Sequence, residues 1–252
     1  GLPATIDSYS STRIVGTVPF NPAPTTDLLD VVVTAGPEQS TISGAFRYLF
    51  VPAGNEPGRW TAGNGMPGAL GEVAAGVIDG VIYIVGESGD QTWAYNVYAD
   101  AWGSAAQRQF KGHHHAAEVY NDRLYLIGGI GGGSARKVQV YDPATNSWSL
   151  GTEASWDAGS ASSALIDGEI YLAGGIVGGS FTVTDTAKYD PDTDSWTALS
   201  PMIDGRNHAA SATDGERLWI FGGRGPGSGD GNVVANGFAD VQVYDPGTDT
   251  WD

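Results

Sequence analysis

Apolar residues along this chain come in short runs of about five, alternating or continuous, and turn residues close each run. Arg123-Leu124-Tyr125-Leu126-Ile127 stops at Gly128-Gly129, and the stretch from His115 to Tyr120 precedes it. Between them lies Asn121-Asp122, a pair that tolerates φ > 0 and so predicts a tight hairpin. Lys137 to Tyr141 alternates with a period of two, which predicts a third strand. Asp142 to Asn146 reads as a turn with Pro143 at a fixed-φ position, and Trp148 opens a fourth strand. The unit predicted is four antiparallel strands joined by turns.

The same pattern returns at Val73 to Trp102, Ala161 to Trp196 and His208 to Trp251. Their hairpin turns are Asp79-Gly80, Asp167-Gly168 and the longer Asp214-Gly215-Glu216, and the second strands carry Tyr83, Tyr125, Tyr171 and Trp219. Tyr141-Asp142-Pro143-Ala144-Thr145-Asn146-Ser147-Trp148 repeats as Tyr189 to Trp196 and Tyr244 to Trp251, with an eroded copy from Tyr95 to Trp102. Gly pairs at 128–129, 174–175 and 222–223 have Gly86-Glu87 as their eroded counterpart. A strand–Gly–strand–turn unit copied in register predicts an all-β fold, a β-propeller of four-stranded antiparallel blades. The blades fall at 61–102, 103–148, 149–196 and 197–252 of one domain spanning residues 1–252. Residues 1–60 read as a diverged fifth blade, with strands at Asp30 to Ala35 and Phe46 to Val51 and an insertion from Val18 to Asp27. Five blades is the repeat count; a fragment of a six- or seven-bladed propeller is the alternative. Leu2-Pro3 and Ile6-Asp7 echo Pro201 and Ile203-Asp204, so a strand near residues 3–7 is expected to close the last blade and cover its edge.

These motifs resemble the kelch repeat family, whose blades carry a double Gly after strand two and a Tyr/Trp pair flanking strand four. The resemblance covers residues 72–252 well and 1–71 poorly; Glu87 replaces a second Gly, and no Tyr-Asp-Pro precedes Trp60. The family includes copper-radical oxidases, which need a Cys crosslinked to Tyr, and this chain has no Cys. Its iron-dependent specifier proteins carry Glu, Asp and His at four-residue steps; Glu153 and Asp157 match, but Ala161 stands third. Sugar mutarotases of kelch fold, using Arg, His and Glu near the channel, stay open as an alternative.

Composition narrows the partners. Twelve basic against 29 acidic residues give a formal charge of −17, which repels nucleic-acid phosphates and anionic lipid. The absence of cysteine excludes disulfides, thiolate catalysis and Cys-based zinc sites. No apolar run reaches the ~18–20 residues of a membrane helix, so no membrane insertion is expected. The chain opens at Gly1 without Met, as a processed or trimmed chain does. The acidic balance suggests an extracellular or periplasmic setting, with the cytoplasm as the alternative; oligomeric state is left open.

Strand order puts the connections from strand two to three, and from strand four to the next blade, on one face. The hairpins emerge opposite. The first face gathers the long variable loops and is the expected place for function. On it, Arg206 and His208 occupy positions equivalent to His113 and His114, at the start of the innermost strand. Arg and His there can orient a carboxylate or a sugar hydroxyl, or tie adjacent loops together. Trp156, beside Glu153 and Asp157, either stacks on a sugar ring or plugs a gap between loops. Glu87, Arg224 and Asp230 lie in the loops after strand two. His113 and His115 would face one way in a strand, but no carboxylate can be placed beside them, so no metal or other cofactor is assigned. Asp190, Asp192 and Asp194 alternate as in a calcium loop without its turning Gly, and read as a repeat turn. No catalytic set stands out. The function expected is a binding module for a protein or glycan, with a sugar-active enzyme as the alternative.

Overall fold

In this computed structural model the described residues are 5–9, 14–17, 29–35, 38–46, 62–87, 89–178, 181–225 and 237–252. They form two compact units, Gly1–Ala62 and Gly63–Asp252. No helix occurs among the described residues, and so none is long and apolar enough to cross a membrane.

The first unit holds two hairpins. Thr5–Tyr9 pairs antiparallel with Ile14–Thr17, and Leu29–Ala35 pairs with Glu38–Phe46. The strand expected at Phe46 to Val51 lies, beyond Phe46, outside the described residues; the partner of Leu29–Ala35 is Glu38–Phe46, a strand the apolar pattern did not predict. The polar run Glu38-Gln39-Ser40-Thr41 hid this strand, because it lacks the apolar alternation by which strands are read from sequence. The insertion at 18–27 lies outside the described residues. Thr250–Trp251 supplies the fourth strand of the last blade, and Thr5–Tyr9 has Ile14–Thr17 as its partner. Closure of the last blade by residues 3–7 stays a proposal, as does the count of five blades.

The second unit contains four four-stranded antiparallel sheets, each hydrogen-bonded in chain order. The first is Ala74–Ile78, Val81–Val85, Thr92–Asn96 and Ala101–Ala105. The second is Ala116–Tyr120, Arg123–Ile127, Val138–Asp142 and Ser147–Gly151. The third is Ser162–Ile166, Glu169–Ala173, Thr186–Asp190 and Ser195–Ala198; the fourth is Ala210–Thr213, Leu218–Phe221, Val241–Asp245 and Thr250–Trp251. The first strands of successive sheets lie side by side, so the sheets are propeller blades arranged around an inner rim. Asn121 and Asp122 take φ of 47° and 55°, the left-handed pair that a two-residue hairpin needs.

The core is a series of slabs between blades. Ile78, Tyr83 and Val85 pack on Leu124, Leu126 and Tyr141; Tyr125 and Ile127 on Ile170 and Tyr189; Tyr171 and Ala173 on Leu218 and Tyr244. The Gly pairs admit the chain entering the next blade. A Cβ on Gly128 would stand 2.2 Å from the Ala158 carbonyl oxygen, and one on Gly174 2.4 Å from that of Arg206.

The repeated Tyr, Asn/Asp and Trp act as one latch. Tyr141 donates its hydroxyl to Asn146 Oδ1 at 2.9 Å, and the same oxygen accepts the Ala106 N–H at 2.8 Å. The Trp148 indole donates to the carbonyl of that same Ala106 at 2.9 Å. Tyr189, Asp194 and Trp196 hold Thr152 in this way, and Tyr244, Asp249 and Trp251 hold Ser200. The eroded copy keeps it: Tyr95, Asp100 and Trp102 hold Asn64. Each blade thus grips both backbone groups of one residue in the segment that leads into it. The Asp at the head of each turn has a separate capping role, accepting the Ala144, Asp192 and Gly247 N–H groups.

Removing the acceptor tests the latch. Asp194→Ala strands the hydroxyl of the buried Tyr189 and the Thr152 N–H, and the expected loss is about 1–3 kcal/mol. The exposed Ser149→Ala is the control and should stay within about 0.5 kcal/mol. Urea unfolding monitored by Trp fluorescence measures both; equal losses would remove the latch from the stability of the fold.

Candidate functional site

Two residues before each inner strand the backbone turns left-handed, at a side chain other than glycine in every blade of the second unit. Glu72, His114, Ser160 and His208 have φ of 49°, 59°, 55° and 51°. Such a conformation costs on the order of 1–3 kcal/mol per residue unless its surroundings enforce it. Here the enforcement is a line of backbone hydrogen bonds from blade to blade. The His114 N–H points to the Glu72 carbonyl at 3.5 Å, Ser160 to that of His114 at 2.8 Å, and His208 to that of Ser160 at 3.3 Å. The line places equivalent side chains of separate blades around one mouth.

Glu72, His114 and His208 meet there. His114 Nε2 lies 2.9 Å from Glu72 Oε2 and 2.9 Å from His208 Nε2, and the two rings stand edge to face with centroids 4.7 Å apart. Asn207 orients His208. Its Nδ2 donates to the Arg224 carbonyl and to Thr182 Oγ1, so its Oδ1 faces His208 Nδ1 at 2.5 Å and can only accept. The proton of His208 therefore sits on Nδ1, and the Nε2 lone pair points into the mouth. Burial, helped by the positive Arg224 and by His114, pushes His208 down to about 4. Burial also lowers His114, with the Glu72 carboxylate opposing. Both rings are neutral bases near pH 7.

The kelch motif matches residues 111–154, 158–203 and 205–252. The chain belongs to the kelch family. Kelch-like protein 25 of Xenopus tropicalis is 30% identical over 192 residues, which are 74% of this chain and 25% of that protein. The kelch chain thus spans about a quarter of that relative's length. The solved structure of YjhT aligns with a TM-score of 0.65 over 93% of this chain and 85% of its own, at 17% identity, which carries the fold. The blade at Ala74–Ala105 precedes the matched residues, yet its latch on Asn64 is that of the other kelch blades.

The mouth brings together some of the residues expected on the loop face and sets others aside. His208 and His114 are in it. His113 borders it, with Nδ1 facing His114 Nδ1 and backbone bonded to Ile130. Arg224 is close enough for its charge to act on both His114 and His208. Glu87 is exposed, its carboxylate lying against Gly71, the neighbour of Glu72. Arg206 is buried and faces away: it donates to the Gly222 and Asp240 carbonyls and to Asp240 Oδ2, beneath the Phe238 ring. It ties loop ends together and offers nothing to a ligand. Trp156 is buried too, its indole donating to the Gly174 carbonyl at 3.0 Å, so it is a plug between blades and not a stacking platform. Asp230 lies outside the described residues.

The pairing of His113 with His115 is also corrected. The left-handed φ at His114 breaks the strand alternation, and His115 turns inward to Gly128 O at 2.6 Å and Arg108 Nη1 at 2.7 Å. Asp190, Asp192 and Asp194 spend their oxygens on the repeat turn, on Tyr120 and on the latch. Clefts of about 430 and 350 Å³ open between blades and are lined by repeat turns, with Arg123 and its partner Asp142 in both. They lack the convergence of bases found at the mouth.

Two acids went unnoticed in the sequence. Glu72 ends a loop before any motif begins. Glu118 lies on an inner strand, where burial raises its pKa while the Ser163 hydroxyl, 2.7 Å away, and the Leu165 backbone oppose the shift. A raised carboxyl destabilises the folded state once ionised, and that cost vanishes below its ordinary value of 4.5. Glu118→Gln should therefore raise the urea midpoint at pH 7, and the gain should shrink to nothing as pH falls below that value. A gain independent of pH would contradict this assignment.

Proposed function

We propose that this kelch propeller is a protein-binding module whose docking face is the loop face around the mouth. The observation that carries the reading is an apolar pair beside it: Phe181 is 73% exposed and Ile203 60%. Phe181 belongs to a short hairpin, Ile176–Val177 with Phe181–Thr182, in the loop after the third blade's second strand. That hairpin is fastened to the mouth, because Thr182 Oγ1 accepts from Asn207 at 2.6 Å. Ile203 lies in the loop leading to His208, and Gly205 of that loop meets Thr182 and Val183. Large apolar side chains held in water on ordered loops fit the centre of a protein interface, ringed by polar groups. The net charge of −17 favours a partner with a basic surface. The burial of Trp156 takes away the stacking ring on which the glycan reading leaned.

A second reading, a sugar-active enzyme such as a mutarotase, draws on the mouth itself. Two neutral imidazoles and a carboxylate in contact are a general acid–base set.

A photocrosslinking residue placed at 181, at 203 and, as control, at the hairpin-face residue 98 separates these readings. The expected result is a protein adduct from 181 and 203 alone, lost on Phe181→Ser with Ile203→Ser while thermal stability is kept. Adducts from position 98 alone would move the docking face to the hairpins. Acceleration of anomer exchange by the chain, read by proton NMR of reducing sugars and abolished in His208→Ala, would replace binding by catalysis.

A further inference from the structure

Three electron-pair donors face one another at the mouth. His208 Nε2 carries a lone pair, since its ring proton is committed to Asn207 Oδ1. Glu72 Oε2 carries another, and His114 Nε2 stands 2.9 Å from both. A single proton on His114 Nε2 satisfies one of those contacts and leaves the other unbridged. His114 Nδ1 faces His113 Nδ1, so its proton can move to that side and free Nε2 as a third donor. All three atoms lie within 4.8 Å of one another.

We propose that Glu72 Oε2, His114 Nε2 and His208 Nε2 bind one divalent transition-metal ion of the zinc class, with a fourth position open to the loop face. Two imidazoles and a carboxylate are a donor set for zinc, with no thiolate required. Tetrahedral zinc holds its donors about 3.3 Å apart, so the two 2.9 Å contacts need to open by only a few tenths of an ångström. Glu72 can supply that movement, because its side chain is 54% exposed. The ring of His208 cannot drift, being held through Asn207, which is wholly buried. This is the outer-shell orientation that metal-binding histidines require. Donor spacing is set by the blade-to-blade backbone line, so it does not rest on a flexible loop.

Arg224 opposes the ion. Its charge acts on both imidazoles, and the Glu72 carboxylate answers it. The same arginine beside an open coordination position would draw an anionic donor, such as a carboxylate, into that position. The inference uses the mouth but not the partner, and a titration without any partner tests it.

Tag-free chain titrated with zinc chloride against a chromophoric chelator is the experiment, with X-ray absorption at the zinc edge on the loaded protein. The expected result is one equivalent bound, a first shell containing two imidazole nitrogens, and more than about tenfold weaker binding in Glu72→Gln and in His114→Ala. Arg224→Gln should bind more tightly, since a repelling charge is gone. Substoichiometric binding, a shell of oxygens alone, or unchanged affinity in Glu72→Gln would overturn the proposal. The absorption spectrum of the unaltered protein keeps the test decisive if His114→Ala fails to fold.

Discussion

The Tyr–Asn/Asp–Trp latch is what makes separate sheets into one body. A four-stranded sheet buries little on its own, and its edges remain open to pairing. Packing between blades supplies the apolar contact but not its register, because slabs of Ile, Leu and Tyr tolerate sliding. The latch fixes that register. An indole N–H and a turn side-chain oxygen, of Asn146, Asp194 or Asp249, close on the C=O and N–H of a single residue, Ala106, Thr152 or Ser200. The turn residue itself is left-handed, as Asn146, Asp194 and Asp249 show, so turn, strand and neighbour are set together.

The mouth depends on that register. Carbonyl and amide of Glu72, His114, Ser160 and His208 meet across blades only if the blades neither slide nor tilt. Their strained dihedrals persist because this line and the Gly-pair contacts leave the chain no other path. Burial of Arg108, His115 and Arg206 behind the line stiffens it further. Arg108, pushed down to about 10 by burial, reaches Gly89 O and His115, while Arg206 spans Gly222 and Asp240. These charges support the scaffold, which is why strongly basic side chains near the mouth are not all ligand contacts.

Much of this was legible in the chain. The latch is written as a fixed spacing of Tyr, Asp/Asn and Trp, and the hairpins as Asp-Gly or Asn-Asp between apolar runs. His114 and His208 stood out because equivalent positions of two blades both carried imidazole. Glu72 was not legible: its loop has no motif, and its role comes from the blade placed beside it. For Trp156 and Arg206 the sequence left a ligand contact and a structural tie both open, because residue type suggests recognition while burial is decided by neighbours far away in sequence. The strand at Glu38–Phe46 escaped notice since half of it is polar.

The rim position is left-handed in every blade of the second unit, yet it holds Glu, His, Ser and His. Its structural work is done by backbone N–H and C=O, which every one of those residues supplies equally. Ser160 adds its hydroxyl, which accepts the His208 N–H at 3.1 Å, while the Glu72 carboxylate and the imidazoles of His114 and His208 are turned toward one another. A propeller can change what it binds there without touching the latch or the slabs between blades. The cost is the left-handed strain, which is offset by the line of backbone bonds from blade to blade. Chemistry and stability thus reside in different atoms of the same residues, so Glu72→Gln alters the donor set while leaving the carbonyl that receives His114 in place.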